Sequence, residues 1–261
     1  MATPLPKLAV FKFSSCDGCQ LSLINLDEAL VALASKVEIA YFLEASSTKI
    51  EGPYDIALVE GSITTPHELD LIMAVRQKSK FLVAMGACAN AAGIQALRNW
   101  HDVGEYARFV YASPAYVETL AQCSPIAEHV PVDFSIQGCP VQNEQVLEVI
   151  TGLLMGWLPR LPAHSVCIEC KRRGNVCVLV AGGKLCVGPL THAGCGAICP
   201  AYGRGCFGCF GPMECANTDA LAARLLTMEP QPGDVLRLLR NFNANAEDFR
   251  SASDKLEKGT A

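Results

Sequence analysis

The chain has 261 residues, enough for one large domain or two modest ones with a buried core. It is 51% hydrophobic and 18% charged, which excludes a disordered chain, and its net charge of −5 with no long basic run excludes a nucleic-acid scaffold. What stands out is fourteen cysteines against five histidines, a density that means disulfides, metal ligation or both.

In chain order, residues 8–13 read as a first strand inside MATPLPKLAVFKF. Lys12 interrupts the apolar run there and no twin-arginine pair occurs, so the segment does not read as an export signal. Residues 37–43, 55–59, 81–85 and 132–136 read as further short buried strands, rich in Val, Ile, Leu and Phe. Between them, 20–35 reads as one apolar helix. Residues 66–78 read as a helix with Pro66 at its first position, Glu68 and Asp70 early and basic residues late, a polarity that suits the helix dipole. Residues 141–156 follow Pro140 in the same way. Alternating strands and helices predict an α/β, flavodoxin-like doubly wound parallel sheet over residues 1–156.

Trp157-Leu158-Pro159-Arg160-Leu161-Pro162 breaks that pattern and reads as a linker over 157–166. From Cys167 to Cys215, nine cysteines fall within 49 residues, with many glycines and little periodicity. Such a stretch is expected to be a small irregular domain folded around metal rather than an ordinary apolar core. The uncharged stretch 185–203 carries glycines, Pro189 and Pro200, and is a poor membrane span. Residues 218–228 and 233–241 read as short helices in a 216–261 tail that ends polar and loose. Without an export signal or a span the expected compartment is the cytoplasm, where disulfides rarely persist, so the thiols read as metal ligands.

Two constellations carry the chemistry. Cys16 and Cys19 form a CxxC after the first strand, Cys88 follows the 81–85 strand, and Cys139 follows the 132–136 strand. In a doubly wound sheet these loops share one edge, where ligands bind. Cys19, Cys88 and Cys139 also fall near expected helix N-termini, which favour thiolates. Four thiolates suit a [4Fe-4S] cluster. A thioredoxin-like pair and a plain core thiol are the competing readings.

The second constellation is Cys167-x2-Cys170-x6-Cys177-x8-Cys186, then Cys195-x3-Cys199-x6-Cys206-x2-Cys209. Two groups of four fit two metal centres, iron-sulfur or zinc. Cys123 and Cys215 are left over, with Cys215 near enough to Cys209 to compete. Lys171, Arg172 and Arg173 read either as a solvated turn or as charges that raise a cluster's potential or dock an acidic electron partner.

Ser15-Cys16-Asp17-Gly18-Cys19-Gln20-Leu21-Ser22, Val59-Glu60-Gly61-Ser62-Ile63, Gly86-Ala87-Cys88-Ala89, Gly138-Cys139-Pro140, Cys186-Val187-Gly188-Pro189-Leu190-Thr191 and Gly205-Cys206-Phe207-Gly208-Cys209 occur in that order. Together they resemble the small subunit of nickel-iron hydrogenases, over most of the chain. The resemblance implies a proximal [4Fe-4S] cluster on Cys16, Cys19, Cys88 and Cys139, facing a nickel-iron centre on a separate large subunit. It implies a distal cluster on Cys167, Cys170, Cys177 and Cys186, with Cys167 where many relatives have His. It implies a medial four-iron cluster on Cys195, Cys199, Cys206 and Cys209, with Cys199 where many relatives have Pro. These departures resemble the cytoplasmic, cofactor-coupled branch, which includes sulfhydrogenase delta-type subunits. Flavin or NAD(P)-binding and iron-sulfur partners are then expected, and neither nucleic acid nor membrane.

Oxygen-tolerant relatives carry extra thiols at positions corresponding to Gly18 and Gly93. The resemblance thus implies an ordinary four-cysteine proximal cluster. Glu60 reads as a proton relay or interface contact, or as an N-cap-like carboxylate in the turn before Ser62 and Thr64. The whole chain reads as a hydrogenase electron-transfer subunit, not catalytic alone. The competing classes are a complex-I-like subunit, which would carry adjacent cysteines and a single cluster, and a zinc-stabilised binding module.

Overall fold

The computed structural model describes residues 4–228, 230–231 and 233–259. The first three residues of the N-terminal segment, Glu229 and Pro232 in the expected tail, and the last two residues lie outside the described residues.

Five parallel strands form one sheet: β1 (Lys7–Lys12), β2 (Glu38–Phe42), β3 (Tyr54–Glu60), β4 (Ser79–Met85) and β5 (Phe134–Ile136). Their order, β2-β1-β3-β4-β5, is that of a flavodoxin-like doubly wound sheet. Alternation along the strands divides the core in two. Leu8, Val10, Ile56, Leu58, Val83 and Met85 face one side, while Ala9, Phe11, Ala57, Val59, Leu82 and Ala84 face the other. Each large aliphatic side chain buried this way contributes about 1.5–3 kcal/mol.

The first face is covered by α1 (Gly18–Ile24), α2 (Glu28–Ala34) and α6 (Asn143–Met155) through Leu23, Leu33, Val146, Val149 and Ile150. The second is covered by α3 (Pro66–Lys78) through Ile72 and Val75. A capping box starts α3: Thr65 accepts from the Glu68 N–H, and the Glu68 carboxylate accepts from the Thr65 N–H. Two short helices follow β4: α4 (Gly86–Ala91) begins directly at its end, and α5 (Val103–Val110) lies further out.

The apolar segment 20–35 is two helices rather than the single one its composition predicts. Asn25 caps α1, and Asp27 takes a positive φ of 49° before α2, which breaks the run into two helices.

Beyond α6, residues 158–163 form neither helix nor strand. The cysteine-rich segment then carries two short helices, α7 (Val166–Arg172) and α8 (Ile198–Ala201). Contrary to the sequence expectation, this segment does have an apolar core. Val166, Val178, Leu179, Val187 and Leu190 pack with Leu221, Leu225, Val235, Leu239 and Phe249 of α9 (Thr218–Leu226), α10 (Asp234–Leu239) and α11 (Glu247–Glu257). The expected loose tail is therefore corrected as well. Helical i, i+3 spacing in α11 puts Phe249 and Ala252 into that core. Among the described residues no helix is long and apolar enough to cross a membrane.

Candidate metal centres

Because all five strands run parallel, the loops after β1, β4 and β5 emerge on one edge of the sheet. Cys16 lies exposed after β1, Cys19 is the second residue of α1, Cys88 the third of α4, and Cys139 follows β5. These residues, up to 123 positions apart, act on one another electrostatically. Cys19 feels Cys88 and Cys139, while Cys88 and Cys139 both feel Cys16.

Burial pushes the Cys88 thiol up to about 12 and raises Cys19 and Cys139 too. The expectation that helix N-termini would lower these thiols is thus reversed: α1 and α4 are only seven and six residues long, and desolvation outweighs them. Buried thiols crowded this way ionise readily only against a cation, which is what a metal centre supplies.

Two glycines keep the sulfurs accessible. Gly86 (φ +86°) stands where a Cβ would overlap Cys19 Sγ, and at Gly93 (φ +62°) a Cβ would meet Cys88 Sγ at 2.5 Å. Gln95, which the sequence reading missed, places its side-chain amide 3.6 Å from Cys88 Sγ and donates to the Ser14 carbonyl at 2.7 Å. Only the fold brings it there.

Glu60 ends β3 on the same edge and is almost fully buried. Its Oε1 accepts the Cys19 N–H at 3.0 Å, so it serves the start of α1 rather than the turn before Ser62 and Thr64. Its Oε2 is buried without a hydrogen-bond partner, and burial raises its carboxyl pKa.

The second region sorts its cysteines into two sets. Cys167 and Cys170 on α7 join Cys177 and Cys186 around one small cavity, closed by Val178, Leu179, Pro189 and Pro200. Burial and the three neighbouring thiols push Cys167 up to about 11. Cys195, Cys199 and Cys206 act together on Cys209, which burial pushes up to about 12; Cys206 is pushed equally high. Four features outside the cysteines shape this set. Thr191 accepts from Cys206 Sγ at 3.5 Å, Asn243 donates to the Gly208 carbonyl at 2.8 Å, Phe249 packs against Gly208, and Glu169 accepts the Gly194 N–H at 2.9 Å.

The three sets also adjoin in a fixed order. Cys139 of the first acts electrostatically on Cys209 of the second. The Cys206 N–H of the second donates to Cys186 Sγ of the third at 3.2 Å. Cys123 is buried against Ala92 and Ala96 with its thiol 3.5 Å from the Ala92 carbonyl, and Cys215 is exposed. All fourteen cysteines are free of disulfides. Among the described residues no group of three or more His, Cys, Asp or Glu is arranged to hold a single metal ion.

The doubly wound sheet gathers four thiols at its carboxyl edge, the place where such folds bind ligands. Residues 16–153 match the family model described as the NADH ubiquinone oxidoreductase 20 Kd subunit, and the chain belongs to that family. Its similar relatives are hydrogenase subunits, oxidoreductases that act on hydrogen. The delta subunit of sulfhydrogenase 2 from Pyrococcus furiosus is 36% identical over 90% of this chain and 98% of that one. A vhu subunit of the F420-non-reducing hydrogenase from Methanocaldococcus jannaschii is 33% identical over 82% of this chain and 84% of that one. A chain in the structure of an NAD+-reducing [NiFe]-hydrogenase in the H2-reduced state superposes with a TM-score of 0.56 at 30% identity, over 60% of this chain and 96% of that one.

Proposed function

We propose that this chain is the electron-relay subunit of a nickel-iron hydrogenase and holds three [4Fe-4S] clusters. Cys16, Cys19, Cys88 and Cys139 would hold the proximal cluster, Cys195, Cys199, Cys206 and Cys209 the medial one, and Cys167, Cys170, Cys177 and Cys186 the distal one. The observation that carries the reading is the order of the three thiol sets, adjoining through Cys139 and Cys209 and then through Cys206 and Cys186. The donors fit the group: thiols crowded in three sets of four, glycines that leave the Cys19 and Cys88 sulfurs clear, and no disulfide competing for them.

When bound, such a cluster takes up and returns one electron at a time at a potential set by burial and hydrogen bonds to sulfur. The chain's own task is to hold the donors in line and dry, and to aim N–H groups at them. Glu60, buried and with a free Oε2, would hold a proton or a polar contact at the face met by a nickel-iron large subunit. Beyond the distal set the expected partners are flavin or NAD(P)-binding and iron-sulfur subunits. Residues 1–156 would form the proximal unit and 167–215 the medial and distal unit, with 157–166 between them and 216–261 as a helical support. Fourteen free thiols suit the cytoplasm.

The family description favours a complex-I-like subunit as a second reading, but eight of the proposed ligands lie beyond the matched residues 16–153. Metal and sulfide analysis decides among the classes. About twelve irons and twelve acid-labile sulfides per chain are expected from three four-iron clusters. Stoichiometric zinc without sulfide would overturn the reading. Purification with a large nickel-binding protein is the accompanying expectation.

A further inference from the structure

After Cys88 the chain turns back on itself. Ala92 and Gly93 both take positive φ, 59° and 62°, and the Gly93 N–H donates to the Ala87 carbonyl at 3.1 Å. The reversal returns Gln95, seven positions after Cys88, onto the Cys88 sulfur. Gly93 permits it: a Cβ there would lie 2.5 Å from Cys88 Sγ and 2.6 Å from Gln95 Oε1. Among the described residues Gln95 is the one side chain that hydrogen-bonds a sulfur of the first set.

The amide stands side-on to that sulfur, with Oε1 and Nε2 each 3.6 Å from Sγ. Nε2 also donates to the Ser14 carbonyl at 2.7 Å. That bond fixes which end is nitrogen, since an amide oxygen there would face another acceptor. Ser14 is itself fixed: its carbonyl accepts the Ser62 N–H at 3.0 Å, and its N–H donates to the Ser62 carbonyl at 3.1 Å. An amide nitrogen of this kind carries two protons. One goes to Ser14, two residues before Cys16, and the other is left for Cys88. A cysteine sulfur that has lost its proton can only accept, so the contact then becomes N–H···S.

We propose that Gln95 is a positioning residue of the first thiol set, whose second N–H donates to the Cys88 sulfur and raises the reduction potential of the proximal cluster. Sulfur ligands gain negative charge when an electron arrives, so a donor aimed at one favours the reduced form. The same amide joins the turn of Cys88 to the loop of Cys16, which keeps the donor aimed. The inference rests on the relay reading and adds to it the side chain that tunes its first potential.

The test is a redox titration of the full, iron-loaded chain followed by electron paramagnetic resonance, with Cys88→Ala identifying the signal of the first set. Gln95→Leu removes the donor. Its first-set signal is expected at a more negative potential, the reduction equilibrium shifted about tenfold, or about 59 mV for one electron. The signals of the other two sets should titrate as in the parent chain. Gln95→Met, closer in length to the native side chain, repeats the measurement if the Leu variant fails to fold. An unchanged or higher first-set potential, or an equal shift of all three signals, would overturn the inference. So would loss of first-set iron in both variants, which would show that the amide only ties the two loops together. The two readings fail separately: a parent chain without iron and sulfide defeats the relay, and an iron-loaded variant with an unmoved potential defeats the role of Gln95.

Discussion

Glu60 Oε1 accepts the backbone N–H of Cys19 at 3.0 Å, fastening the end of β3 to the first turn of α1. Its Oε2 is buried without a partner, and burial raises the carboxyl above its ordinary 4.5. The folded chain therefore holds this proton more tightly than the unfolded one, and stability falls as pH rises through the folded value. Glu60→Gln keeps an acceptor for Cys19 and removes the buried charge, so it should flatten that pH dependence at little cost. Glu60→Ala leaves the Cys19 N–H unpaired and should cost about 1–3 kcal/mol. Denaturant titrations from weakly acid to neutral pH compare the three. A Gln variant as destabilised as the Ala variant would show that the fold needs the carboxylate itself and not only an acceptor for the Cys19 N–H.

Cys199 is the second residue of α8 and acts on Cys209 with Cys195 and Cys206, while Cys215 stands exposed with a positive φ of 57°. Replacing Cys199 should leave three thiols in the medial set, so Cys199→Pro and Cys199→Ala should each give a three-iron signal in electron paramagnetic resonance. Cys215→Ala should not. An unchanged spectrum in both Cys199 variants would move the fourth ligand elsewhere.

The sheet was legible in the sequence because its strands are buried on both faces and read as short apolar runs, as in FLVAM at 81–85. Pro66 and Glu68 marked the start of α3 for reasons that are purely local. The break at Asp27 was not legible, because nothing in an apolar run announces a positive φ at an acidic residue. Gathering Cys16, Cys19, Cys88 and Cys139 required the fold, whereas the pairing of nearby cysteines in the second region required only spacing. Asn243 was out of reach altogether. It lies 34 positions beyond Cys209, in a segment whose polarity suggested a loose tail, and only its packing brings it to Gly208.

Asn243 is almost fully buried, and its side-chain amide holds the Gly208 carbonyl between Cys206 and Cys209. Asn243→Ala removes that donor and leaves the carbonyl buried, at a cost of about 1–3 kcal/mol. Because Gly208 sits inside the CxxC, the loss should appear first as release of iron from the medial set. Chelator-driven iron loss, followed optically, should be faster in the variant, with the other two thirds of the iron released as in the parent chain. Uniform loss from all sites would show a general destabilisation instead.

Arg240 ties the C-terminal helix to Trp100. Arg240 donates to Asp254 at 2.8 Å and, through both terminal nitrogens, to Glu257 at 2.7 and 3.0 Å, while its guanidinium lies 4.4 Å from the Trp100 ring centroid. The Trp100 indole N–H donates to the same Asp254 oxygen at 3.0 Å, which joins α11 to the sheet unit. Burial alone would raise the Asp254 carboxyl, but the bonds from Trp100 and Arg240 bring it below its ordinary 3.8. The bond from Arg240 likewise holds Glu257 below 4.5. For carboxylates lowered by folding, the stabilisation is present above the ordinary values and is lost as pH falls through the folded ones. Acid should therefore release α11 from Trp100. In a Trp157→Phe background Trp100 is the remaining tryptophan of the two, and its fluorescence should change in a transition below the ordinary carboxylate range. Asp254→Asn should weaken the contact at neutral pH and reduce the acid transition. An identical acid transition in that variant would place the release of α11 on other groups.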